Sequence, residues 1–76
     1  MNRILIVEDE PRIASFIDKG LRAKGFSTII AMNAAEAIAL ALNSEFELAI
    51  LDVGLPDKNG FEVLEELRGQ GVSFPI

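Results

Sequence analysis

The sequence predicts an α/β domain in which helices cover both faces of a parallel sheet. Short apolar runs alternate with patterns of helical spacing, and the connections between them are short. In addition, two of the apolar runs end directly in acidic residues. The chain has 76 residues, of which 50% are hydrophobic, so it can form one small domain with a core of marginal size and is not a disordered chain.

The first strand and the first helix are predicted within residues 4–25. Residues 4–7 form a continuous, mostly β-branched run, which is typical of a strand buried on both faces. Pro11 suits the first turn of a helix, and Gly25 suits its end. Apolar residues at helical spacing predict the face that packs on the sheet: Ile13, Phe16, Ile17 and Leu21.

The second strand is predicted over residues 26–31, and a second helix follows it. Asn33 and Glu36 form an N-x-x-E capping pattern, so this helix should begin near Ala34, and Asn43-Ser44 should end it. The apolar residues expected on its buried side are Ala37, Ile38, Ala41 and Leu42.

The third strand is predicted over residues 48–51 as a buried strand that ends at Asp52. A loop over residues 53–60 leads to a third helix over residues 61–68, and residues 74–76 resemble the opening of a fourth strand. The third helix should direct three apolar side chains to the core: Val63, Leu64 and Leu67. The phenylalanines are mostly expected at core positions.

Composition excludes several classes of function. The chain contains no Cys and no His, so disulfides, thiolate metal sites, imidazole ligands and histidine bases are excluded. A net charge of -5 argues against direct binding to nucleic acid phosphates. No apolar stretch approaches the ~20 residues of a membrane span, and the first residues lack the features of a secretory signal. The default compartment is therefore the cytoplasm.

Acidic side chains follow the first and third predicted strands. Glu8 and Asp9 come directly after the first strand, and Asp52 comes directly after the third. Ligands of open α/β sheets bind beyond the carboxyl ends of the strands. If the two strands are neighbours, they lie ~4.8 Å apart, and the three carboxylates converge on one small area.

Such a group of carboxylates needs a counter-charge, because the carboxylates repel one another. Lys58 is the nearest basic candidate by sequence, but a divalent cation is the more economical explanation. A site with oxygen ligands alone suits Mg²⁺ or Mn²⁺. An aspartate beside such a metal can act as a nucleophile toward a phosphoryl group.

Purely structural interpretations exist for the same residues. Asp9 and Glu10 could simply start the first helix, and Asp52 could be an ordinary turn residue. The joint occurrence of acids at the ends of two buried strands favours a site. The remaining loop residues are expected to shape the turn or to face solvent: Gly54, Pro56, Lys58 and Gly60.

Two motifs of the chain resemble those of a known family. Ile4-Leu5-Ile6-Val7-Glu8-Asp9-Glu10, followed by Leu51-Asp52-Val53-Gly54-Leu55-Pro56-Asp57 and Asn59-Gly60, is similar to a response-regulator receiver domain of the OmpR/PhoB type. The resemblance covers the whole chain, which matches about 60% of a usual receiver of ~120 residues. It implies a flavodoxin-like, doubly wound sheet of order 2-1-3-4-5, truncated here after βαβαβα and the start of strand four.

The resemblance implies a role for each matching residue. Asp52 corresponds to the phosphoacceptor, Asp9 to a direct Mg²⁺ ligand, and Glu8 to its acidic neighbour, which often acts through water. Gly54 corresponds to the position whose backbone carbonyl coordinates the metal. The implied function is that of a signalling domain, not an enzyme: a sensor histidine kinase phosphorylates Asp52, and transcription is controlled through a DNA-binding domain.

The resemblance also implies that parts of the family's site lie beyond Ile76. These are a Ser/Thr after strand four and a Lys after strand five. Residues 1–76 are therefore expected to be a partial receiver domain, with the effector domain outside the chain. We expect weak Mg²⁺ binding and poor phosphate acceptance. We also expect self-association through the exposed sheet edge, with residues 72–76 pairing against another chain.

Two other classes of function remain open from the sequence. One is an interaction module that works without phosphorylation, although the retention of all three acids argues against it. The other is a phosphohydrolase with an aspartyl-phosphate intermediate. Such enzymes commonly need a second Asp two residues after the nucleophile, and Gly54 occupies that place.

Overall fold

The computed structural model describes residues 2–76 as a three-stranded parallel sheet with three helices. The strands pair in the order β2-β1-β3, so the first strand lies at the centre, and the predicted α/β class is confirmed. The elements are β1 Arg3–Val7, α1 Pro11–Ala23, β2 Ser27–Ala31, α2 Ala34–Asn43, β3 Leu48–Leu51 and α3 Gly60–Gly69.

The helix boundaries follow the capping signals of the sequence. Pro11 is the first residue of α1, and Gly25, just beyond its end, has a φ of +91° that a residue with a Cβ atom rarely adopts. The Asn33 side chain caps α2 by accepting a hydrogen bond from the backbone of Glu36. Asn59 and Glu62 form a complete capping box at the start of α3.

The central strand divides the core into two layers. Leu5 and Val7 point to the layer of α2 and α3, where they pack in one cluster with Val63 and Leu67. The alternate residues of β1, Ile4 and Ile6, are equally buried and face the opposite layer, which contains α1. This double burial explains why the strand is apolar at every position.

A polar contact joins α1 to the sheet. The Thr28 hydroxyl of β2 donates a hydrogen bond to the carboxylate of Asp18, and Arg22 donates to the same carboxylate at 2.8 Å. The Thr28 hydroxyl bond is the first cause that lowers the pKa of Asp18, and the Arg22 bond is the second. Thr28 is therefore buried with its hydroxyl satisfied.

Several residues expected in the core are exposed instead. On α1 the buried residue is Ala14, whose small side chain allows the helix to approach the sheet, whereas Ile13 is half exposed and Phe16 is 81% exposed. Phe61 on α3 is 66% exposed. The expectation that the phenylalanines mostly occupy core positions is thus wrong for Phe16 and Phe61, because no element within residues 2–76 covers their faces.

The third strand is less buried than its apolar sequence suggests. Ile50 retains 36% of its exposure, whereas Ala49 of the same strand is buried, because Ile50 lies on the face of the sheet where α1 packs on β1 and β2. At the outer edge of β3 the Ala49 N–H donates a hydrogen bond to the Pro75 carbonyl at 2.9 Å. Residues 74–76 therefore lie beside β3 of their own chain, as the opening of a fourth strand would. Self-association through this edge stays a prediction.

Side chains at the amino end of the sheet hold this tail in place. The guanidinium of Arg68 donates hydrogen bonds to the carbonyls of Val72 and Phe74, both at 2.8 Å. The Phe74 ring meets the buried Phe46 ring edge to face at 5.9 Å between centroids.

Among residues 2–76 no helix has both the length and the apolar character that a bilayer span requires.

Candidate metal centre

Three acidic side chains converge at the carboxyl edge of the sheet. Glu8 and Asp9 follow β1, and Asp52 follows the neighbouring β3. Because Val7, the last residue of β1, pairs with Leu51, the last residue of β3, these acidic residues lie side by side. One carboxylate oxygen from each of the three lies within 4.8 Å of the others, and all three side chains are half-buried. The structure thus brings together the three acidic residues that the sequence singled out.

Backbone hydrogen bonds fix the positions of these residues. The Asp52 N–H donates to the Val7 carbonyl at 3.0 Å, which extends the β1–β3 pairing up to the acid. The Glu8 N–H donates to the Ala31 carbonyl at 3.0 Å, which ties the same edge to β2. Asp9 is not the cap of α1. That role belongs to Glu10, whose carboxylate accepts from the Arg12 N–H.

The cluster is electrostatically strained for Glu8. Partial burial raises the pKa of the Glu8 carboxyl above its ordinary value, and the charges of Asp52 and Asp9 add to the rise. The Glu10 N–H, which donates to Glu8 Oε2 at 3.1 Å, opposes it. The site therefore holds negative charge at a free-energy cost that a bound cation would remove.

Lys58 does not supply the counter-charge. Its Nζ atom pairs with Glu66 Oε1 of α3 at 2.9 Å, and this partner raises the pKa of Lys58. Lys58 remains partly exposed, as expected of a loop charge, and the structure adds an ion-pair partner on α3. Neither of the two ion pairs found within residues 2–76 includes a residue of the acidic cluster.

The donor set fits a hard divalent cation. Carboxylate oxygens are the ligands that Mg²⁺ and Mn²⁺ prefer, and the chain has no thiolate or imidazole to favour a softer metal. Gly54 lies beside the cluster, since a Cβ atom on it would be 4.0 Å from Asp52 Oδ2. The residues present therefore suit a site for an ion with oxygen ligands.

We expect Glu8→Gln to stabilise the chain when no divalent cation is present, by less than ~1 kcal/mol because solvent screens these half-exposed groups. The folded state holds the Glu8 proton more tightly than the unfolded state. Stability therefore falls as pH rises from the ordinary value of 4.5 through the raised pKa. The stability gained by Glu8→Gln should therefore be present at a pH above the raised pKa of Glu8 and absent at a pH below the ordinary value of 4.5.

Urea unfolding across pH, with a chelator and then with Mg²⁺, measures this effect. Mg²⁺ should stabilise the parent chain more than the Glu8→Gln chain, because the ion binds only the folded arrangement of acids. Equal stability of the two chains at neutral pH without metal would show that neither burial nor the neighbouring charges destabilise the Glu8 carboxylate.

The loop between β3 and α3 is anchored at several points. Leu55 is buried in the core cluster, and the Gly60 N–H donates to the Val53 carbonyl at 2.9 Å. The carboxylate of Asp57 accepts hydrogen bonds from the backbone N–H groups of Ala34 and Ala35, at 2.8 and 3.1 Å. The loop that follows Asp52 is therefore tied to both α2 and α3.

The predictions from the sequence do not include the capping role of Asn59 or the hydrogen bonds of Asp57, and they give Gly60 a different role. The Asn59-x-x-Glu62 pattern is the same capping signal as at α2 and could have been found. The role of Asp57 has no sequence signal, because its partners lie 23 and 22 positions away. Gly60 was expected to be a turn glycine. It is instead the first residue of α3 and packs against the backbone of Asp52.

Comparisons with known proteins agree on one family. The family model of the response regulator receiver domain matches residues 4–76. The chain is 39% identical over 74 residues to the probable transcriptional regulatory protein SilR of Salmonella typhimurium. This match includes 97% of the chain but only 32% of SilR, so the chain spans about a third of that relative's length.

Solved structures give the same result. TrrA of Thermotoga maritima, a response regulator crystallised with Mg²⁺-BeF, is 35% identical with a TM-score of 0.89. That match covers 93% of this chain and 62% of TrrA. TrrA in complex with the histidine kinase ThkA matches at 34% identity and a TM-score of 0.90, covering 97% of this chain and 64% of the other.

Proposed function

The chain belongs to the response regulator receiver domain family, and on that premise we propose that its Asp52 accepts a phosphoryl group from a sensor histidine kinase. One observation carries this proposal: Glu8, Asp9 and Asp52 leave neighbouring strands and place carboxylate oxygens within 4.8 Å of one another. Such a cluster can place a cation beside a nucleophilic carboxylate, which is what phosphoryl transfer to an aspartate requires.

We assign the metal ligands to the same cluster. Glu8, Asp9 and Asp52 would hold Mg²⁺ through carboxylate oxygens, and Gly54 would contribute its backbone carbonyl; Mn²⁺ suits the same ligands. When bound, the ion neutralises negative charge on the phosphoryl group during its transfer. The raised pKa of Glu8 is consistent with this assignment: partial burial is its main cause, and the neighbouring charges of Asp52 and Asp9 add to it.

Asp52 acts as the nucleophile in this proposal. A carboxylate oxygen of Asp52 forms a bond to phosphorus while the bond between phosphorus and the kinase histidine nitrogen breaks, and that nitrogen keeps the electron pair. The chain contributes by positioning. The hydrogen bond from the Asp52 N–H to Val7 and the packing of Gly60 on its backbone hold the nucleophile at the sheet edge.

We propose that the phosphorylated domain controls transcription through a separate effector domain. SilR is a transcriptional regulatory protein three times as long as the matched segment, which leaves room for a DNA-binding domain outside residues 1–76. The net charge of -5 on this segment fits a regulatory part rather than the part that grips DNA. Because control of transcription requires access to the chromosome, we place the whole protein in the cytoplasm.

Labelling with a small phosphodonor tests the assignment. We expect acetyl phosphate to label the chain slowly, with at most one phosphoryl group, in the presence of Mg²⁺ and not at all when the ion is chelated; labelling is slow because the Ser/Thr and Lys implied for the phosphate site lie beyond Ile76. Borohydride reduction followed by peptide mass analysis should place the group on Asp52. Labelling at another residue, or labelling that does not depend on a divalent ion, would overturn the proposal.

The same experiment distinguishes a phosphohydrolase. A signalling domain forms the acyl phosphate and keeps it, so we expect at most one phosphoryl group per chain and slow release of phosphate. Sustained turnover of an aryl phosphate would instead indicate an enzyme. No response to Mg²⁺ at all would favour an interaction module.

A further inference from the structure

We propose that Asp57 is a positioning residue for the cation site: it latches the loop between β3 and α3 to the amino end of α2 and so holds Gly54 beside Asp52. The inference rests on the proposed function and deepens it. Asp57 contributes no ligand, so its effect on the ion would act entirely through the loop.

The contacts of Asp57 differ from those of an ordinary helix cap. A cap normally comes from the residue that precedes the helix, and α2 already has one in Asn33, which accepts from the Glu36 N–H at 2.8 Å. Asp57 satisfies the two remaining N–H groups of the first turn, those of Ala34 and Ala35. The amino end of α2 is thus closed by two chain segments.

The latch completes a ring of contacts around the acidic cluster. β1 is tied to β2 by the bond from Glu8 to Ala31, and β3 is tied to β1 by the bond from Asp52 to Val7. The bonds of Asp57 connect the loop after β3 back to the helix that follows β2. All three connections at the carboxyl edge of the sheet are therefore linked.

Electrostatics favours this latch. The amino end of a helix carries partial positive charge, which attracts a carboxylate. The bond from the Ala34 N–H is the largest of the causes that lower the pKa of Asp57, so this carboxylate holds its charge to a lower pH than an ordinary aspartate. The latch is thus closed at neutral pH.

Two contacts hold the chain on either side of Gly54: the Val53 carbonyl accepts from the Gly60 N–H, and Leu55 is buried in the core. Gly54 itself is exposed, and a Cβ atom on it would lie 4.0 Å from Asp52 Oδ2. Beyond Leu55 the loop is held by Asp57 and by the cap of Asn59. Without Asp57, the segment over residues 53–58 would lose its only side-chain hydrogen bonds to α2 among the described residues, and the apolar packing of Leu55 would remain.

The test compares Mg²⁺ affinity in two capping variants. We expect Asp57→Ala to raise the Kd for Mg²⁺ about tenfold, the lower range for residues that orient metal ligands. Asn33→Ala removes a cap from the same helix end without touching the loop. It should lower the melting temperature by about 4–8 °C and leave the Kd unchanged. The chain has no Trp or Tyr, so amide resonances of ¹⁵N-labelled protein are the readout.

A third variant separates anchoring from charge. Asp57→Asn removes the negative charge but keeps an oxygen that can accept from the Ala34 N–H, so its Kd should stay nearer to that of the parent chain than to Asp57→Ala. If the Asn and Ala variants raise the Kd equally, charge alone is responsible and the latch is overturned.

Other outcomes are equally decisive. A parent chain that does not respond to Mg²⁺ overturns the proposed function together with the latch. A parent chain that binds Mg²⁺ with the same Kd as Asp57→Ala overturns the latch alone. If Asp57→Ala fails to fold, the parent chain provides the test. The amide resonances of Ala34 and Ala35 should then shift together with that of Gly54 as Mg²⁺ is added. If they do not shift, the amino end of α2 is not coupled to the cation site and the proposal is overturned.

Discussion

Replacing Asp52 by asparagine should abolish phosphoryl uptake and leave the fold intact. The amide has nearly the shape of the carboxylate but lacks the nucleophilic oxygen, so no acyl phosphate can form. The folded state also loses one of three facing negative charges, so its stability should stay the same or rise by less than ~1 kcal/mol. Acetyl phosphate labelling and ¹⁹F NMR of a beryllofluoride adduct measure the loss.

Glu8→Gln is the matched control for this substitution. It removes one charge from the same cluster and keeps the acceptor, so at high Mg²⁺ concentration it should retain labelling at a reduced rate. If the Asp52→Asn chain takes up phosphate as the parent chain does, the nucleophile lies elsewhere. If both substitutions abolish uptake equally at saturating Mg²⁺, the loss reflects the cation site and not the acceptor.

The sequence predicted the elements well because their signals are local. Capping residues, a proline at the first turn and a glycine beyond the last turn set the ends of α1 and α2. The apolar run of residues 48–51 coincides with β3. Each of these signals acts through hydrogen bonds or steric limits within a few residues, so it can be read without knowing the tertiary structure.

The degree of burial could not be predicted in the same way. Periodicity shows which residues of α1 share a face, but it does not show what covers that face. Phe16 lies at core spacing and is nonetheless 81% exposed, since no element within residues 2–76 covers its face of α1. The half-exposed Ile50 has a similar cause, because on its face of the sheet α1 packs on β1 and β2.

The acidic cluster was predictable and its supports were not. Parallel strands end at a common edge, so Asp9 and Asp52 could be placed together from the strand assignments alone. Asp57 bonds to a segment that is distant in sequence, and no residue pattern predicts that contact. The close packing of Gly60 depends on its distance from the Asp52 backbone, which the sequence does not show either. Such contacts appear only once three dimensions are known.

We expect Gly60→Ala to cost about 3 kcal/mol, the upper part of the usual range for overpacked sites. A Cβ atom at this position would lie 2.6 Å from the Asp52 carbonyl oxygen and 2.9 Å from the Val53 Cα. Both are backbone atoms and cannot rotate away. The start of α3 must therefore move from the end of β3, which breaks the bond between the Gly60 N–H and the Val53 carbonyl and displaces Asp52.

Helix propensity alone predicts the opposite sign, because alanine is favoured over glycine in a helix interior by ~1 kcal/mol. Gly20→Ala in α1 is therefore the matched control: nothing lies within 4 Å of the Cβ it would add, so this variant should be more stable than the parent chain. Urea unfolding measures both changes. A Gly60→Ala chain as stable as the parent would mean that α3 can retreat freely, and Asp52 would then not be held by its packing. The loss of about 3 kcal/mol expected for Gly60→Ala is large for a domain whose total stability, at roughly 0.05–0.15 kcal/mol per residue, is of order 4–11 kcal/mol.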